Sequence, residues 1–130
     1  MKCKVPEKKL MYYVFVKHYL NHQGIEFFHK KWFPEVQEAI KTQPGFIDII
    51  SKKDSQNPAL VHIILRFENQ TTLLAWAATK CHDELVDNLD DYRVQSWEFA
   101  ATDVINREHI DSSSELLQWQ FVTPKTIAYS

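Results

Sequence analysis

At 130 residues, with 45% hydrophobic content and only two glycines, the chain is long enough to form one domain and too apolar and too regularly patterned for global disorder. A formal charge of -2, from 15 basic and 17 acidic residues, gives no broad field for a nucleic-acid partner. Two distant cysteines, Cys3 and Cys81, make no disulfide framework, and no apolar run is long enough to cross a bilayer as a helix, so the expected setting is cytoplasmic with no membrane partner.

Lys2, Lys4, Lys8 and Lys9 form a small basic arm that reads as a solvated terminus. The apolar run after it is interrupted by Lys17 and His18 and lacks a small-residue cleavage site, unlike a secretory signal. Leu10 to Leu20 is dense in aromatic and β-branched residues and predicts a central strand. Tyr12, Val14 and Val16 fall on one face and Tyr13, Phe15 and Tyr19 on the other, so both faces need cover.

Asn21-His22-Gln23-Gly24 reads as a turn. Ile25, Phe28, Trp32, Val36 and Ile40 then recur at spacings of three and four, the stripe of an amphipathic helix. Burying Phe28 and Trp32 should contribute about 1.5 to 3 kcal/mol each. Pro34 removes a backbone donor and crowds the carbonyl of Lys30, which predicts a kink or short break. Pro44-Gly45 stops the helix by Gln43. Phe46 to Ile50 reads as the second strand, residues 53–58 as a solvated hairpin, and Leu60 to Phe67 as the third strand. In that strand Val61, Ile63, Leu65 and Phe67 oppose His62, Ile64 and Arg66.

Asn69 or Thr71 can cap a second helix carrying Leu73, Leu74, Trp76 and Ala77. After a break near Lys80 its period resumes in Cys81, Leu85, Val86 and Leu89, with Asp83, Glu84, Asp87, Asp90 and Asp91 on the wet side. Val94 to Ala101 is the fourth strand, with Trp97 and Phe99 facing away from Glu98. The order βαββαβ predicts an α+β, ferredoxin-like sandwich with helices on one sheet face and the other face left apolar and uncovered, an invitation to a second copy. The ferredoxin-like domain is expected over residues 1–101. A C-terminal extension, 102–130, is expected to pack on the same or the partner subunit, with a short helix from Asp103 to His109 and a fifth strand from Leu116 to Val122.

Over residues 10 to 101 an ordered set of features resembles the antibiotic biosynthesis monooxygenase family of the dimeric α+β barrel superfamily. The set comprises the strand Tyr12 to His18, Phe28 and Trp32, Pro44-Gly45-Phe46, Arg66-Phe67-Glu68-Asn69, Leu74-Ala75-Trp76, and His82. The resemblance implies a homodimer through the open sheet face, closing two sheets into a barrel, with a pocket between sheet and helices in each subunit. Its members include cofactor-independent oxygenases of phenolic or polycyclic aromatic substrates, quinol oxygenases and haem-degrading enzymes. The haem-degrading branch uses an asparagine in the first strand and a tryptophan near the end of the third. Here Asn21 comes too late and Phe67 fills the aromatic position, which counts against haem.

His82, where many relatives carry a histidine, is the leading candidate for a base that takes a phenolic proton. A surface or capping histidine is the plainer reading of the same residue. His18 and Tyr12 complete the catalytic candidates. Trp76, Arg66, His62, Trp97, Trp32 and Phe28 are the substrate-binding candidates, Arg66 as a guide for a phenolate or carboxylate. Core packing is the plainer reading of the tryptophans and Phe28, and a salt bridge to Glu68 or Glu98 the commoner outcome for Arg66. The six histidines lack metal-ligand spacing, and no glycine-rich phosphate cradle is present, so neither a metal nor a cofactor is expected. The expected function is cofactor-independent monooxygenation of an aromatic, phenolic or quinol-type small molecule. The alternatives are a non-catalytic homodimeric ligand-binding or structural protein of the same fold, and a haem-degrading or haem-binding protein.

Overall fold

A computed structural model of the chain describes residues 10–105. They run as β1 (Leu10–Leu20), α1 (His22–Phe27), a π-helical segment (Phe28–Trp32), α2 (Phe33–Ile40), β2 (Phe46–Lys53), β3 (Leu60–Phe67), α3 (Gln70–Ala77), α4 (Lys80–Asp87), a 3-10 turn (Asp90–Tyr92) and β4 (Arg93–Ile105). The strands lie in the order β2-β3-β1-β4 with every neighbouring pair antiparallel, the ferredoxin-like arrangement. The two strands richest in β-branched and aromatic residues, β1 and β3, take the centre, where both of their backbone edges are paired.

Three local expectations are revised. Asn21 opens a helix directly: its side chain accepts from the Gly24 amide, and Gly24 is a close-approach glycine, since a Cβ there would stand 2.5 Å from the Tyr92 Cβ. Pro34 does not break the helix. The preceding turn widens into the π segment, with the Phe33 amide donating to the Phe28 carbonyl, so Pro34 enters in the first turn of α2, where its missing N–H is tolerated. β4 continues past Ala101 to Ile105, and Asp103, Val104 and Ile105 pair with Tyr12, Met11 and Leu10. Pairing along the whole of β1 thus replaces the helix expected to begin at Asp103. The rest of that helix, the strand Leu116 to Val122, the basic arm and Cys3 lie outside the described residues.

Gly45 has φ +80°, which favours glycine, and its carbonyl accepts from the Glu68 amide. This fixes the turn into β2 beside the start of α3, where Asn69 and Thr72 form a reciprocal cap. Thr79 then caps α4 by accepting from the His82 amide, so the predicted break near Lys80 is a true junction of two short helices.

The helices cover the face carrying Val14, Leu20, Val61, Ile63, Leu65 and Phe67, and close the main core with Phe28, Trp32, Val36, Ile40, Trp76, Leu85 and Leu89. The opposite face holds a second cluster of Met11, Tyr13, Phe15 and Ile64. Among the described residues no helix lies on it, yet Tyr13, Phe15 and Ile64 are at most 1% exposed within a single chain. The expectation of an uncovered face therefore does not hold at its centre. Closure of two such sheets into a barrel is not a feature of this single-chain structure.

Candidate active site

Between the helix-facing side of the sheet and α3–α4 lies a cleft in two connected lobes that share Val16, Leu65, Trp76, His82, Val86 and Trp97. The inner lobe, about 70 Å³, is completed by His18, Trp32 and Leu85. The outer lobe, about 520 Å³, opens past Leu73, Leu74, Ala77 and Phe99, with Asp83 and Asp87 at its rim. Its volume falls in the range of small-molecule sites, and its walls are aromatic and aliphatic with few polar groups.

Each polar side chain in the cleft has a local reason for its placement. His18 shares the inward side of β1 with Val14 and Val16 through period-2 alternation. At His18 the ladder between β1 and β4 slips: Lys17 opposes Glu98 and Tyr19 opposes Gln95, and a second slip follows at Leu20, opposite Arg93. These bulges bend β4 and set Trp97 beside the imidazole, ring centres 5.7 Å apart. Trp32 meets His18 edge-on at 5.5 Å, while Phe28 stacks on Trp32 at 5.1 Å from the core side. The indole Nε1 of Trp32 donates to the Leu85 carbonyl of α4, tying the two helical layers together. His82 lies in the first turn of α4, its ring edge-on to Trp76 at 5.5 Å, with Nδ1 3.2 Å from Asp83 Oδ1.

His18 is 2% exposed. Its Nδ1 accepts from Arg93 Nη1 at 3.0 Å; the same guanidinium donates to Asp90 Oδ1 at 2.8 Å and to the Val86 carbonyl at 3.0 Å. Burial, then the Arg93 charge, then His82, pushes the His18 pKa down to about 3, so the imidazole is neutral at any ordinary pH.

Of the residues singled out from sequence, His18, His82, Trp76, Trp97 and Trp32 meet at this cleft. Phe28 backs the wall without lining it. Tyr12 is on the same sheet face but toward the other end of β1, opposite Asp103 and against the main core, and burial followed by the Asp103 charge raises its pKa. Arg66 and His62 lie on the opposite face. Arg66 is held in a two-pronged pair by Asp48, at 2.9 Å through Nε and 2.5 Å through Nη2, rather than by Glu68 or Glu98. His62 Nε2 bonds Asp54 Oδ1 at 2.9 Å. A bulge in β2 between Phe46 and Asp48 turns Asp48 toward Arg66. Arg93 was missed: only the tertiary fold brings it to a histidine 75 positions away.

Among the described residues no group of three metal-ligating side chains occurs, and no helix is long and apolar enough to cross a membrane. By sequence, neither a protein-family profile nor a curated protein matches the chain. Solved structures do match by fold. A conserved protein from Methanosarcina mazei Go1 superposes with TM-score 0.67 at 15% identity, over 73% of this chain and 93% of its own. An antibiotic biosynthesis monooxygenase gives 0.64 at 16%, over 73% and 99%. A mutant of SnoaB, a cofactor-independent oxygenase from Streptomyces nogalater, gives 0.62 at 11%, over 79% and 98%. At these identities the likeness establishes a shared architecture: the chain has the α+β fold found in antibiotic biosynthesis monooxygenase structures.

Proposed function

We propose that the protein is a cofactor-independent monooxygenase of an aromatic, phenolic or quinol-type small molecule. The observation that carries the reading is His82, which lines both lobes of an aromatic-walled cleft while Asp83 stands at its Nδ1. A carboxylate at Nδ1 favours the proton there and leaves Nε2 as the basic nitrogen. A phenolic hydroxyl passes its proton to Nε2, and a hydrogen-bearing ring carbon ortho or para to the oxygen attacks dioxygen, the peroxide taking the proton back from Nε2 to give a hydroperoxide. Loss of water from that hydroperoxide and its carbon leaves a quinone, so one oxygen atom enters the product and the other departs as water. The chain supplies a base, alignment and a water-poor wall.

The test is oxygen uptake with a panel of hydroquinones and polycyclic phenols. Protein-dependent uptake is expected, reduced about 10²- to 10⁴-fold in His82→Ala, the usual contribution of a general base. No uptake across the panel, with ligands still bound, leaves a non-catalytic binding protein; equal uptake by the variant removes His82 from the chemistry. Pairing of two copies through the second sheet face, around its buried centre where Ile47 and Ile50 are only half-buried, belongs to the same reading. Sedimentation equilibrium should show a dimer, and a monomer removes the dimeric barrel but not the cleft, whose walls described above come from one chain.

A further inference from the structure

His18 carries a constraint that the proposed chemistry leaves unused. A guanidinium has donors and no acceptor, so the contact from Arg93 Nη1 to His18 Nδ1 requires a lone pair on Nδ1. A neutral imidazole with its lone pair on Nδ1 carries its proton on Nε2. Arg93 is not free to turn away: its other nitrogens are engaged by Asp90 and the Val86 carbonyl. The rings packed on His18 are Phe28, Trp32 and Trp97, none of which offers an acceptor oxygen or nitrogen, and His82, across the same lobe, acts on it through charge and not through a hydrogen bond. The side chain is nevertheless part of the wall of the inner lobe.

We infer that His18, fixed by Arg93, is a hydrogen-bond donor for a ligand oxygen at the smaller lobe of the cleft, a carbonyl or phenolate, and that it is not a base. The inference rests on the same cleft as the monooxygenase reading and narrows its substrate class. The inner lobe of about 70 Å³ admits the oxygen-bearing edge of a flat molecule, and the outer lobe of about 520 Å³ takes the body of the ring system. The two histidines then have opposite duties: His82 accepts a proton, and His18 stabilises the negative charge that its departure leaves on oxygen. A preorganised donor of this kind discriminates, because a ligand without the oxygen leaves the N–H unpaired in an apolar lobe.

The test is binding without oxygen, read by quenching of the cleft tryptophans. The probes are 1-tetralone, whose carbonyl can only accept, and its hydrocarbon analogue tetralin. The wild-type protein should hold the ketone about tenfold or more tightly than the hydrocarbon, typical of one hydrogen bond in an apolar site. Arg93→Met, which frees the ring to turn and to take either tautomer, should reduce that preference. Nitrogen-15 NMR of the unliganded wild-type protein gives a second reading that needs no variant: His18 Nδ1 should resonate as an unprotonated nitrogen and Nε2 as a protonated one. Equal binding of the two probes to the wild type, or a proton on Nδ1, overturns the inference. Lost preference with oxygen uptake intact removes the donor and spares the oxygenase. Preference without uptake does the reverse.

Discussion

β1 and β3 build two polar arrangements, one on each face of the same sheet, and they are wired in opposite ways. On the second face the buried Arg66 and His62 are matched with carboxylates, Asp48 and Asp54. The His62 hydrogen bond, followed by the Gln56 amide, holds the Asp54 carboxyl below its usual range. On the cleft face the buried His18 is matched with a cation. Asp48 grips Arg66 with two oxygens and Asp54 engages His62 through Nε2, so each buried basic side chain meets an acceptor, although the Nδ1 of His62 meets no hydrogen-bond partner among the described residues. A cationic partner does the contrary: it keeps the imidazole neutral and fixes its proton on Nε2, on the wall of the cleft. The lesson is that burial alone does not mark a site; the sign of the partner does.

Several measurements would break or sharpen this contrast. The largest effects should come from the apolar support of each face. Trp32→Ala and Phe15→Ala should each lower unfolding free energy by about 3–5 kcal/mol in urea titrations. A loss below about 1 kcal/mol for Phe15→Ala would mean that the second face is wet in solution despite its burial here. Next comes Asp48→Asn, expected to cost about 1–3 kcal/mol, less than a fully buried pair because the carboxylate keeps some contact with water. It should leave ligand binding in the cleft unchanged, and a change in binding would show that the faces are coupled.

The His18 arrangement should appear as a pH dependence. A histidine in an unfolded chain takes up a proton near pH 6.5, whereas the folded imidazole resists until about 3. The unfolded state therefore binds more protons between those values, and stability falls as pH falls through that window. The slope should be about 1.4 kcal/mol per pH unit from this group, absent in His18→Gln. Identical slopes for the two proteins would mean that the imidazole is charged in the fold. The smallest effect on stability is expected for Asp83→Asn, under about 0.5 kcal/mol because the residue is exposed. If Asp83 sets the tautomer of His82, oxygen uptake should nonetheless fall severalfold.

Much of the fold was legible because the sheet is two-sided. Alternation alone separated Val14 and Val16 from Tyr13 and Phe15, and the bounds of β1 and β3 coincide with the apolar runs. Asn21 to Gly24 misled because an asparagine and a glycine three apart signal a turn, and only contact with Tyr92 shows why a helix needs that glycine. The site was half legible. His18, Trp97 and His82 lie on inward positions of elements that the pattern revealed. The opposite side given to Arg66 and His62 was also written in the alternation of β3, and their attraction to a pocket was chemistry overriding register. Bulges and the reach of Arg93 were not legible, since a ladder slip costs one residue of register and leaves no compositional mark.

The π segment between α1 and α2 has a consequence for how the chain tolerates change in length. A wide turn holds one residue more than an α-helical turn would, so the stretch Phe28–Trp32 is a single-residue surplus absorbed inside a continuous rod. Excising exposed Lys31 should restore ordinary winding without interrupting the rod, but everything on its N-terminal side would swing by about 100°. Phe28 would leave its seat under Trp32, and the back wall of the cleft would go with it.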